Sequence, residues 1–281
     1  MKKKNQSERL TNQHKKSKGV IGIFGELAKK HDVSVRDLSK LVLKGLENTY
    51  PELKFRFRAS VSKKEINDSL KKLDNYLGQT LFVEKARITP DGGFIEVQDD
   101  NENWRIILVS EAKFQGKDIE NIKKGNLVGK NNDQDIMHAG NAIERSHKNI
   151  SEVANYMLSE THFPYVIFLE GSNFLTETVN IERPDGRVVE LKYHLGSLNR
   201  LDRLSAANYG MPFNTNLCKN RFVSVEDNAV MLQAASMYTT GDGRRWEPEK
   251  MLEIMLEIAN MSLQILGSDI FLQLTANKGN E

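Results

Sequence analysis

Cysteine is almost missing from this chain. Cys218 stands alone, which excludes a disulfide within the chain and a thiolate zinc site. Histidine is scarce as well, and the 6 present are scattered without metal-ligand spacing. No apolar run is long enough to span a bilayer, so no membrane partner is expected. The basic start lacks the apolar core of a secretory signal, and a reducing cytoplasm is the expected location. A global excess of one charge is missing too. The net charge is only +2, so bulk electrostatics does not announce a nucleic acid. Internal repeats and extended low-complexity segments are also absent.

What is present suits a soluble globular protein. Apolar residues make 39% and charged residues 28% of 281, enough for one large domain or two small ones. Charge is distributed unevenly. Lys2, Lys3, Lys4, Arg9, Lys15, Lys16 and Lys18 face only Glu8 within residues 1–18. This segment reads as a basic arm, either a solubilising tail or a strand that wraps a polyanion. Residues 19–281 read as a single domain.

Hydrophobic periodicity gives the organisation. Val20 to Asn48 reads as helices, with Ile21, Phe24, Leu27 and Ala28 on one stripe and Leu38, Leu41, Val42 and Leu46 on another. Lys64 to Leu77 reads as a short helix. Residues 79–113 supply three strand candidates, and Lys117 to Asp133 a basic loop. Asp135 to Leu158 is a long helix, and Tyr165-Val166-Ile167-Phe168-Leu169 a buried strand. Strand, helix, strand suggests a crossover and a parallel pair. Thr178 to Tyr193 reads as a hairpin, Leu195 to Leu204 as a helix ending near Gly210, and Met251 to Leu274 as a buried helix. The expected class is α/β, with a mixed sheet between helices.

Two carboxylates and a lysine carry the chemistry. Asp91 sits in a Pro-Asp-Gly-Gly turn, and Glu111-Ala112-Lys113 closes an apolar run beginning at Ile106. Side chains two apart on a strand project from one face, so Glu111 and Lys113 face together. Cutting a phosphodiester needs a hard cation beside the phosphate and an activated water opposite the leaving oxygen. Magnesium takes oxygen ligands, typically one or two carboxylates, which Asp91 and Glu111 can supply. Lys113 can orient or deprotonate the water, or stabilise charge on the transition state. The bland alternative is a surface aspartate and a solvated strand end. A second Pro-Asp, Pro184-Asp185 before Glu190 and Lys192, reads instead as a tight turn between polar strands.

A second constellation surrounds the start of the long helix. Met137-His138-Ala139-Gly140-Asn141-Ala142-Ile143-Glu144-Arg145 places small residues where a backbone can approach a ligand. Asn141, Glu144 and Arg145 are side-chain types that read base edges, and Arg200 and Arg203 lie on one face of the leucine-rich helix. Lys117, Lys130, Lys148 and Asn149 are candidates for phosphate contacts. The competing view is a helix start with a solvated charged face.

With these residues in view, the chain resembles type II restriction endonucleases of the EcoRI kind, within the PD-(D/E)xK nuclease superfamily. The strings GVIGIFG, LVGK, GNAIERSHKNISE, HFPYV, FLEGSNFLTE, RPDGRVV, LNRLDRL, AANYGMP and MLQAAS carry the resemblance from residue 19 to about 235. It implies a five-stranded mixed sheet flanked by helices. It also implies a homodimer that cleaves double-stranded DNA at GAATTC with Mg2+, leaving 5′-phosphates and 5′ overhangs. By the resemblance Asp91 and Glu111 bind metal and Lys113 completes the site. Met137 to Ala142, with Glu144, Arg145 and Arg200, would read bases, and Arg203 would hold a phosphate. The arm and the 178–193 hairpin would embrace the DNA, and a methyltransferase would protect host sites. His138 departs from the alanine of the family pattern, Phe114 from a histidine, and the arm is richer in lysine. Two other readings compete: a DNA-binding protein of the same fold that does not cut, and a repair or junction-resolving nuclease.

Overall fold

A computed structural model describes residues 21–79, 85–126, 140–192 and 198–267, without the side chains of 21–34, 140–144 and 198–200. The first element is one continuous helix, α1 (Ile21–Thr49), where the sequence suggested more than one. Val35, Leu38, Val42 and Leu46 form its buried stripe. Leu41 falls outside that stripe and is 54% exposed, contrary to expectation.

Five strands build the central sheet: β1 (Phe55–Arg58), β4 (Gly93–Gln98), β5 (Trp104–Phe114), β6 (Tyr165–Glu170) and β11 (Ser236–Thr239), in that spatial order. The pairs β1/β4 and β4/β5 are antiparallel, whereas β5/β6 and β6/β11 are parallel. The mixed sheet and the parallel crossover therefore match expectation. The three strands expected within 79–113 are β3 (Arg87–Ile88), which pairs with β2 (Val61–Ser62) outside the main sheet, and then β4 and β5. Strands β1 and β11 escaped the sequence reading, because four-residue strands carry too little period-two signal.

Helices cover both faces. On one side α1 and α6 (Pro248–Leu266) pack Val42, Leu46, Met251, Met255 and Ile258 against Leu108, Ala112, Val166 and Phe168. On the other, α2 (Lys63–Leu73), α4 (Gly140–Tyr156) and α5 (Leu198–Ala207) bring Ile66, Val153, Leu201 and Leu204, with Met157 just past α4, onto Val109, Tyr165, Ile167 and Leu169. Burying each such large side chain stabilises by roughly 1.5–3 kcal/mol.

A register shift opposite Ile95 and Glu96 leaves Ile107 unpaired in β5. Ile107 and Leu108 both join the α1/α6 side, while Ile106 and Val109 join the other. Such a bulge resets which face each later residue takes. Glu111 and Lys113 thereby follow Val109 onto the α4 side.

Other boundaries have local causes. Helix α2 starts at a capping box: the Glu65 N–H donates to Ser62 Oγ, and the Ser62 N–H to Glu65 Oε2. It stops at Leu73 rather than Leu77, because Asp74 Oδ1 accepts the Tyr76 N–H and turns the chain. The expected loop from Lys117 contains a short helix, α3 (Asp118–Lys123), whose Ile122 is buried with Ile181. The hairpin β7 (Val179–Glu182) and β8 (Val188–Leu191) forms as expected, and packs on α3 through that contact. A further hairpin, β9 (Arg221–Val225) and β10 (Asn228–Leu232), was not foreseen. Helix α6 begins at Pro248 rather than Met251, since proline suits a first helical turn. Residues 268–274 of the expected helix lie outside the described residues.

Candidate active site

The ends of β4 and β5 meet at the site. Asp91 lies in the turn just before β4, closed by the Gly93 N–H donating to Pro90 O at 3.1 Å. The Gly92 N–H donates to Ser110 O at 2.9 Å and straps this turn to β5. Gly92 has no room for a side chain: a Cβ there would lie 2.0 Å from Ser110 Oγ. Gly93 has φ +75°, a conformation that glycine adopts without strain.

Asp91, Glu111 and Lys113 converge as the sequence suggested. Lys113 Nζ lies 2.5 Å from Asp91 Oδ2 and 2.7 Å from Glu111 Oε1, bridging the two carboxylates. The Ala112 N–H also points to Asp91 Oδ2, at 3.4 Å. Glu111 is fully buried, whereas Asp91 and Lys113 keep 18% and 17% of their side chains exposed. Asp91 and Lys113 thus reach the surface of the described residues, with Glu111 beneath.

A buried carboxylate is costly without partners, and Glu111 has several. The Tyr165 hydroxyl donates to its Oε2 in a short hydrogen bond. Asn149 Nδ2 donates to the same oxygen at 3.3 Å, and Ser146 Oγ to Oε1 at 3.5 Å. Ser146, Asn149 and Val153 share the inward stripe of α4, continued by Met157 just past its end, polar over Glu111 and apolar over the core. Burial opposes the charge on Lys113, but Glu111 and Asp91 overcome it and raise its pKa, so the side chain stays an ammonium. Burial and the neighbouring Glu111 push the Tyr165 phenol well above its usual pKa, so it remains a donor.

Two negative groups and one positive leave the trio net negative. The position of the ammonium shows that a cation can stand between Asp91 and Glu111 within bonding reach of both. It stands in for a metal ion in that respect. Among the described residues no cluster of three or more His, Cys, Asp or Glu side chains is arranged to hold a metal. Two carboxylates plus retained water are the donor set that suits magnesium.

The other expected residues distribute unevenly. Gly140, Asn141, Ala142 and Glu144 occupy the first turns of α4, and Arg200 lies in α5. Arg145, Lys148 and Arg203 are exposed on those helices. Met137, His138, Ala139 and Lys130 lie outside the described residues. Lys117, expected at the surface, is buried, because it sits in the packed turn between β5 and α3. Asn149, expected on a phosphate, faces Glu111 in this structure. Phe114 is nearly buried, with the Arg245 guanidinium 5.4 Å from its ring centre. The second Pro-Asp stays apart: Asp185 pairs with Arg187, and Glu190 with Lys192, on the exposed hairpin.

Comparison with known proteins identifies the lineage. The family profile described as Restriction endonuclease EcoRI matches residues 17–273. The chain belongs to this family. It is 64% identical over 276 residues to the type II restriction enzyme EcoRI of Escherichia coli, covering 98% of this chain and 100% of that protein. It is 48% identical over 267 residues to the type II restriction enzyme RsrI of Cereibacter sphaeroides, covering 95% and 96%. The protein is accordingly a type II restriction endonuclease, a site-specific deoxyribonuclease, with the mixed α/β fold of the EcoRI family.

The sequence reading missed Tyr165, Ser146 and Gly92. Tyr165 did carry a signal: a hydroxyl at the head of an otherwise apolar strand needs a buried partner. Gly92 was visible only as part of a turn.

Proposed function

We propose that the protein is a Mg2+-dependent homodimer that cleaves double-stranded DNA at GAATTC, leaving 5′-phosphates and 5′ overhangs. The convergence of Asp91, Glu111 and Lys113 on one point carries this reading. Likeness to two type II restriction enzymes supports it. Residues 19–281 act as one endonuclease domain, with residues 1–18 as a basic arm on the DNA.

Asp91 and Glu111 would hold the metal, which when bound polarises a phosphate oxygen and acidifies water. Lys113, bridging the two carboxylates, would face the charge that builds on the phosphate, or orient or deprotonate the attacking water. Tyr165, Asn149 and Ser146 fix Glu111 from below. Sequence would be read by the segment Met137 to Ala142, with Glu144, Arg145 and Arg200. The exposed Lys148 and Arg203 suit phosphate contacts, and Lys130 joins them. The interior place of Lys117 lends no support to such a role there.

One acidic pair cuts one strand, and a palindrome presents the same surface twice, so a two-fold dimer fits the task. Phe222, Val223, Val225 and Val230 lie exposed on the β9–β10 hairpin, apolar surface of a kind that subunits cover. The cytoplasm of a cell whose own sites a methyltransferase protects is the expected setting.

The test is incubation with Mg2+ and plasmid DNA, followed by sequencing of the ends. Uniform cuts at GAATTC with four-base 5′ overhangs are expected. Glu111→Gln should bind the site and leave it intact. Cleavage at another sequence would refute the assigned site, and tight binding by the wild type without cleavage would favour a non-cutting protein.

A further inference from the structure

The terminal torsion of a glutamate is soft and roughly two-fold, so a metal-binding carboxylate must be pinned by its surroundings. Glu111 has its two oxygens on different duties. Oε1 faces Lys113 and, across it, Asp91. Oε2 points inward, where the Tyr165 hydroxyl meets it.

Tyr165 is well placed to pin it. It lies in β6, paired with Val109, while Glu111 is paired with Ile167. Parallel register puts Tyr165 and Glu111 diagonally on one face. The phenol is fully buried, and its ring stacks on Phe163 at 5.8 Å between centroids. Its direction is therefore set by the sheet and the core. Asn149 and Ser146 reach Glu111 from α4 through longer bonds of 3.3 and 3.5 Å.

We infer that Tyr165 is a positioning residue, which commits Glu111 Oε2 to the protein interior and so turns Oε1 toward the metal position beside Asp91. This rests on the metal-dependent reading above. Partners that orient metal ligands typically govern affinity by roughly 10–100-fold. Loss of the hydroxyl therefore acts on metal binding, while DNA binding, made by other residues, stays as it is.

The experiment compares wild type with Tyr165→Phe on a duplex carrying the recognition site. Single-turnover cleavage is measured across Mg2+ concentration. Mn2+ binding is followed separately by loss of the free-ion electron paramagnetic resonance signal, on a duplex with a non-hydrolysable linkage at the scissile position. In the variant the Mg2+ concentration for half-maximal rate should rise roughly 10–100-fold. Mn2+ affinity should fall in step, the rate at saturating Mg2+ should return close to wild type, and metal-free DNA affinity should not change. A variant slowed equally at every Mg2+ concentration, with wild-type Mn2+ affinity, would overturn the inference. Should Tyr165→Phe not fold, Asn149→Ala removes the weaker donor on the same oxygen and must raise the Mg2+ requirement, and an unchanged requirement also overturns it. Cleavage by the wild type without any metal would sink the parent reading and this inference together, whereas a metal-dependent wild type and a variant with the same Mg2+ requirement would sink only the inference.

Discussion

Substituting Gly92 by alanine tests how the turn positions Asp91. A Cβ there meets Ser110 Oγ at 2.0 Å, Val35 Cγ1 at 2.7 Å and Ser39 Oγ at 2.9 Å. Ordinary carbon contacts lie near 3.5–4.0 Å, so the turn must retreat from β5 by on the order of 1 Å. Ser110 and Ser39 can yield little, because their hydroxyls are hydrogen-bonded to each other at 2.9 Å inside the core. Overpacking of this kind costs about 1–3 kcal/mol, which a protein of this size tolerates. Catalysis is less tolerant. Asp91 is the preceding residue, and a misplacement of about 1 Å can cost roughly 100-fold in rate. Gly92→Ala should therefore fold, bind DNA in the absence of metal as the wild type does, and cleave about 100-fold more slowly in single turnover. Adding Ser110→Ala removes the nearest clashing atom and should restore part of the rate. Wild-type cleavage by Gly92→Ala would show that the tight approach of this turn does not set the position of Asp91.

Two further outcomes concern stability. Glu96 is fully buried, with Arg56 bonded to Oε2 at 2.5 Å and Arg58 to Oε1 at 3.3 Å. Glu96→Ala takes from Arg56 its carboxylate and leaves Arg58 with Glu65, so it should cost about 3 kcal/mol, the low end for breaking a buried pair, since the partly exposed Arg56 is also screened by water; an unchanged urea midpoint would contradict this. Burial pushes the Glu170 carboxyl up from 4.5 to about 7, against the Trp246 N–H and Arg245, which favour its charge. Because the folded form holds the proton more tightly, this stabilisation is full below pH 4.5 and is lost as pH rises through 7. Glu170→Gln keeps an acceptor for Trp246 and should gain on the wild type between those limits, by at most about 3 kcal/mol at pH 8. Urea unfolding at pH 5 and pH 8 gives the difference, and a pH-independent difference would refute it.

Much of the site was legible because it is local. Glu111 and Lys113 sit two apart on a strand, so their shared face follows from backbone geometry alone. The apolar run 165–169 and the hairpin around Pro184-Asp185-Gly186 were readable for the same reason. The sequence also separated the Pro-Asp of the candidate site from the second one, since only the first precedes a buried strand. Partnerships across the chain were not legible. Tyr165 and Glu111 lie 54 positions apart, and nothing short of the β5/β6 register says that they touch. Asn149 faces inward because of how α4 lies on the sheet, and Lys117 is buried because α3 and its turn fold over it. The bulge at Ile107 is invisible in a continuous apolar run. The sequence by itself determined which groups are candidates for the chemistry, because residue type and spacing within one element carry that information. Only the tertiary structure decided what holds those groups in place, because packing and register join elements that the sequence leaves far apart.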